Sequence, residues 1–163
     1  MEIVKRSIMG LLFFGLLSCG DENKPPISTE AEPKPSTAKI KQELERQGYQ
    51  IFDYVDEKTG DTVLMQQYFM AFLKSGPNKS RSKDEADSLQ GLHLAHLSNM
   101  YELGYADISG PFGDDGEIRG ITIYNTPTQE MADSLAHLDP LVQLGILNIE
   151  IHPWWAAKGF PLR

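Results

Sequence analysis

The chain has one cysteine, Cys19, in 163 residues. No disulfide can form within it, and a zinc site built from cysteines is excluded. Cations are also scarce: 15 Lys and Arg stand against 23 Asp and Glu, a net charge of −8. Such a chain has no electrostatic reason to bind nucleic acid or anionic lipid, and no nucleic acid is expected as a partner. A long apolar run is missing as well. The longest, Ile8 to Leu17 (IMGLLFFGLL), is too short to cross a bilayer as a helix. A metal set drawn from His93, Asp139 and His152 has no close ligand spacing behind it, so no metal is expected. There are no internal repeats of the solenoid kind.

What is present begins with an address. Lys5 and Arg6 precede the apolar run, and Leu16-Leu17-Ser18-Cys19 follows it. That is the pattern of a secretory signal over residues 1–18. Its end resembles the bacterial lipobox, with an aliphatic residue three before the cysteine and a small one just before it. The resemblance implies cleavage before Cys19 and attachment of palmitate-type lipid there. The expected place is a bacterial outer membrane, facing the periplasm or the cell surface. Asp21 and Glu22 resemble a surface-export signal. Losing Lys5, Arg6 and Glu2 with residues 1–18 takes the net charge from −8 to −9. Residues 19–38 are then a lipidated cysteine and a tether, rich in Pro, Glu, Ser, Thr and Lys and free of aromatics, which cannot bury a core.

Residues 39–61 read as an extension: a short helix over Ile40 to Gln47 closed by Gly48, then an edge strand from Tyr49 to Val55. Residues 62–163 read as the main domain. Thr62 to Lys74 has bulk on both alternating faces, as a strand covered on both sides does. The turn before it makes a hairpin with the edge strand. Ser75-Gly76-Pro77-Asn78 breaks the strand, and Lys79, Arg81 and Lys83 sit in a solvated loop. Ser82-x-x-Glu85 is a capping box. The helix behind it places Leu89, Leu92, Met100 and Leu103 on one face, with Leu97 at the edge and His93 and His96 in the same sector. Gly104 stops it.

Tyr105 to Ser109 is the next strand, Gly113-Asp114-Asp115-Gly116 a hairpin turn, and Ile118 to Tyr124 the returning strand. Thr126-Pro127-Thr128-Gln129 reads as a second capping box with proline at the first helical position. That helix ends before Pro140, which puts Asp139 at its unfavourable C-terminal end. Ile146 to Ile151 is the last strand, and HPWWAAKGFPLR a closing tail whose Trp154 and Trp155 pack on the sheet or across a dimer interface. The order predicts an α+β fold, a ferredoxin-like βαββαβ sandwich with one extra N-terminal strand.

Several short elements keep a shared order and spacing: Leu73-Lys74-Ser-Gly-Pro, His93 in HLAHL, Glu102-x-Gly104, Gly110-Pro111-Phe112, Gly120, and Asp139-Pro140-x-Val142-x-x-Gly145. Together they resemble the YCII-related proteins, small ferredoxin-like domains of the dimeric α/β-barrel group. The match covers about Met65 to Pro153. The lipobox, the tether and the segment from Ile40 to Asp61 depart from the family pattern.

The resemblance implies a homodimer, a small-molecule ligand and no cofactor. It implies that His93 and Asp139 face each other in a pocket as a catalytic pair. A carboxylate beside an imidazole fixes its tautomer, so that the ring can take or give a proton. Gly110 and Pro111 would let the backbone approach a substrate closely. Relatives are linked to dehydrohalogenase- or isomerase-type steps. The implied function is a cofactor-free lyase or isomerase acting on a small oxidised or cyclic substrate. The alternative is a non-catalytic module, anchored to the membrane, that binds a small molecule or another protein. On helical position alone, His93 reads as a core-edge residue bonded to a backbone carbonyl; the pocket role comes with the family spacing. His96 reads as packing. Tyr68, Tyr124 and Arg119 are candidates to line the pocket.

Overall fold

The computed structural model describes residues 35–80, 82–160 and 162. The signal, Cys19 and most of the tether lie outside them. The described chain runs α1 (Thr37–Arg46), β1 (Ile51–Val55), β2 (Thr62–Ser75), α2 (Lys83–Glu102), β3 (Ala106–Pro111), β4 (Ile118–Tyr124), α3 (Gln129–Ala136), α4 (Pro140–Gln143) and β5 (Leu147–Ala157). Thr37 and Ala38, read from sequence as the end of the tether, belong to α1.

The fold is α+β and ferredoxin-like, built on one antiparallel sheet. Its central member is β2. Along one edge β5 pairs with it over eleven positions, from Met65↔Ala157 to Ser75↔Leu147. The other edge is shared: β1 takes Thr62 to Gln66, and β4 takes Phe69 to Lys74. Beyond β4 lies β3. Without the extra β1, the spatial order is β5-β2-β4-β3, the arrangement of a split βαβ sandwich. β2 can sit between partners because both of its alternating faces are apolar.

Residues 69, 71 and 73 of β2 face the helices. Phe69 and Ala71 join Met100, Ala106, Tyr124, Ala132 and Ala136 in the main core, and Leu73 joins Leu141 and Leu147 in a second. Ser82 accepts from the Glu85 N–H at the start of α2, a contact that contributes about 1 kcal/mol. Gly104 (φ +75°) turns the chain out of α2, a conformation that costs other residues more. On that helix Ala86, Leu89, His93, His96, Leu97 and Met100 point inward. Leu92 and Leu103, expected on the buried face, are 52% and 57% exposed. The buried stripe is centred on the histidines, because α4 packs against this side of α2.

Three further expectations are corrected. The N-cap of α3 is Thr128, which accepts from Met131 N–H. Thr126 is buried and donates its hydroxyl to the Thr128 carbonyl, so Pro127 lies before the helix and not at its first position. Asp139 does not end α3, which stops at Ala136. It is the N-cap of α4, where a carboxylate complements the backbone N–H groups. Finally, β5 runs through the expected tail to Ala157. Pro153 is tolerated because β5 is an edge strand and needs no N–H on its outer side.

The other face of the sheet carries Gln66, Tyr68, Met70 and Phe72 of β2, flanked by Ala156, Trp154, His152 and Glu150 of β5. α1 is joined to this face through the Lys41–Asp53 ion pair. Gln66 is fully buried. Its amide donates to Asn125 Oδ1 (2.7 Å) and its carbonyl accepts from Lys158 Nζ (2.8 Å). The Lys158 ammonium stands 5.9 Å from the Tyr68 ring centre. Burial pushes Lys158 below its ordinary value and the Tyr68 phenol up to about 12.

Candidate functional site

On the helix side, a cavity of about 410 Å³ opens between α2, the β3–β4 hairpin and the chain from α4 into β5. Its walls are mostly apolar, with Leu73, Leu97, Pro111 and Leu141 among them. The polar side chains on it are Gln90, His93, Ser109 and Arg119.

α2 delivers His93, and the turn into α4 delivers Asp139. The two are buried, at 8% and 2% exposure. His93 Nδ1 lies 2.5 Å from Asp139 Oδ2. The second carboxylate oxygen, Oδ1, accepts the Leu141 N–H at 2.9 Å. The carboxylate is therefore anchored by its own capping role before it meets the ring. An ionised carboxylate only accepts, so Nδ1 carries the proton and donates it. Nε2 is left as the basic nitrogen of a ring that lines the cavity. Among the described residues Nε2 has no protein hydrogen-bond partner, and it is not among the fully buried polar atoms.

Two more titratable groups press on this pair. His96, one turn beyond His93, has a buried Nε2 with no partner in the described structure. Burial pushes its pKa below the ordinary value; the nearby Asp139 raises it and His93 lowers it, by lesser amounts. Tyr124 is buried, and its phenol is pushed up, first by burial and then by Asp139.

The structure brings together His93, Asp139, Gly110 and Pro111: the last two line the cavity with His93, and Asp139 stands behind the ring. A Cβ at Gly110 would meet no protein atom within 4 Å, so the strand packing itself does not require glycine there. The close approach is at Gly120, where a Cβ would lie 2.7 Å from the Gly110 carbonyl oxygen. Glycine at 120 keeps β3 tight against β4 and so shapes the cavity floor.

Arg119 lines the cavity as expected, while Tyr124 is packed in the core. Tyr68 lies on the opposite sheet face, as does His152, whose Nε2 meets Glu150 Oε1 at 2.7 Å. Among the described residues no group of three or more His, Cys, Asp or Glu could hold a metal. Trp154 tilts against Tyr68 (6.3 Å between rings) and Trp155 against Phe52 (5.0 Å). Adjacent in the strand, they face opposite ways and form no single patch. Gln90 was missed; its place three residues before His93 on one helix was the available signal.

No family model matches the sequence, and no curated protein matches it. A solved structure is similar at low level: the 5-chloro-2-hydroxyhydroquinone dehydrochlorinase (TftG) of Burkholderia phenoliruptrix AC1100, in complex with 2,5-dihydroxybenzoquinone. Its TM-score is 0.42 and its identity 18%, over 53% of this chain and 92% of that one.

Proposed function

We propose that the cavity carries out a cofactor-free proton transfer, as a lyase or isomerase acting on a small oxidised or cyclic substrate. His93 Nε2 is the general base and, on the return, the acid. Asp139 holds the ring and stabilises the imidazolium formed when the proton arrives. The observation that carries this reading is the buried 2.5 Å His93–Asp139 contact with the ring on a cavity. A histidine used only for packing needs no carboxylate fixed at its back by a helix cap. Mostly apolar walls exclude water and strengthen such a pair.

The test is deuterium uptake from solvent, followed by proton NMR, into a panel of lactones, cyclic diketones and hydroquinones. The wild-type protein should exchange a carbon-bound proton in at least one of them. His93→Gln should lose that exchange at unchanged melting temperature. A wild-type protein inert toward the whole panel sinks the proposal and leaves the binding module.

The reading places this site on a YCII-related lipoprotein, anchored through Cys19 to a bacterial outer membrane with the domain on its periplasmic or surface side. It also makes the protein a homodimer that pairs through the sheet face opposite α2, α3 and α4, as a dimeric α/β barrel. Supporting the pairing are the side chains Met70, Phe72, Ile121 and Ile123, which the strand register sets on that face, with Trp154 partly exposed beside them. One variant checks both. Cys19→Ser should leave the membrane fraction, and the released protein should scatter light as a dimer. A variant that stays in the membrane fraction removes the anchor; a monomer at micromolar concentration removes the pairing.

A further inference from the structure

Resting on that reading of the His93 cavity, one feature names the class of its ligand. Arg119 enters the cavity wall from the start of β4, where the β2–β4 register shifts at Leu73/Lys74. Its Nη1 donates to the Gly116 carbonyl at 3.1 Å, which ties the guanidinium to the hairpin. It takes part in none of the ion pairs among the described residues. Lys74, its neighbour across the register shift, is already committed to Glu117 and Glu150, each at 3.1 Å. The other polar side chains on the wall, Gln90 and Ser109, are uncharged. A chain of net charge −8 thus keeps a cation outside any ion pair on the wall of a mostly apolar cavity, beside Gln90, His93 and Ser109.

We propose that the cavity takes a small carboxylic acid, its carboxylate held by Arg119 and its apolar body lying along the leucine-lined wall beside His93. A guanidinium matches a carboxylate through two parallel hydrogen bonds. One cation with apolar surroundings fits a monoanion. A phosphate would bring nearly two charges and need more donors than Gln90 and Ser109 add. The size agrees: about 410 Å³ holds a single substituted ring or a short branched chain.

Calorimetry on the full domain, using benzoate and its uncharged counterpart benzamide as probes, tests this. Wild type should bind benzoate about tenfold more tightly than benzamide, the range of one charge-assisted pair. Arg119→Met should erase the preference, and Arg119→Lys should keep part of it; equal melting temperatures exclude a folding artefact. His93→Gln should keep the preference while losing deuterium exchange, so this proposal and the proton-transfer reading fail separately. Equal affinity for the two probes, no binding of either at millimolar concentration, or a preference that survives Arg119→Met overturns it.

Discussion

The two faces of the sheet both bury polar side chains, and they end them differently. On the face that carries α1, the hydrogen bonds run on to a carboxylate at the surface: Lys158 to Gln66, Gln66 to Asn125, and Asn125 Nδ2 on to Asp107 at 3.4 Å. Both ends of the fully buried Gln66 amide have a protein partner. On the face of α2 and α4, the chain Leu141–Asp139–His93 stops at an imidazole nitrogen without a protein partner, on a cavity. The first network is complete as folded. The second becomes complete only when something else supplies or accepts a proton. That difference, more than burial itself, is what the proposed proton transfer at His93 rests on.

The largest expected effect breaks the open network at its anchor. Asp139→Ala leaves His93 Nδ1 and the Leu141 N–H unpaired in the interior, and should cost about 3 kcal/mol in urea unfolding. It should also abolish the exchange proposed for His93. A smaller effect is expected on the closed side. Gln66→Leu keeps the volume but strands Lys158 and Asn125, and should cost about 2 kcal/mol with exchange unchanged. If exchange falls with Gln66→Leu at a temperature where the protein is folded, the two faces are not separate and the comparison fails.

The smallest effect concerns His96. Its folded pKa lies below the ordinary 6.5, so between those values the unfolded chain binds a proton that the folded one refuses. Stability is then full above 6.5 and is lost as pH falls through 6.5 toward the lowered value. His96→Gln should flatten the slope of melting temperature against pH in that window. A slope that survives the substitution assigns it to another group.

Much of this was legible because the signals are local. Ser82 and Glu85 mark the start of α2 through a contact three residues long. The double-faced run at β2 marks a central strand without knowledge of its partners. The helical wheel turned both histidines inward, and the structure does so. The pairing of His93 with Asp139 is another matter. It came from the spacing of a family pattern, since no periodicity links residues on separate elements.

Other features were hidden for physical reasons. Pro140 fits the end of one helix and the first position of the next equally well, so Asp139 was set at the wrong end of the dipole. Thr126 and Thr128 are both good caps, and the choice depends on a tertiary contact that buries Thr126. Pro153 argues against a strand unless the strand is known to be an edge. The facing of Arg119 depends on the register shift at Leu73/Lys74, which alternation cannot report.

The eleven-position pairing of β2 with β5 also bears on how the chain is made. β2 leaves the ribosome before α2, β3, β4 and α3, and its longest edge has no partner until β5 arrives. Non-local pairing of this kind folds late, and an unpaired strand edge invites other chains. The sheet is sealed only once β5 has emerged. A chain cut before Leu147 keeps all four described helices and its His93, yet offers an open edge along β2. Such a fragment should aggregate at concentrations where the domain with β5 in place does not.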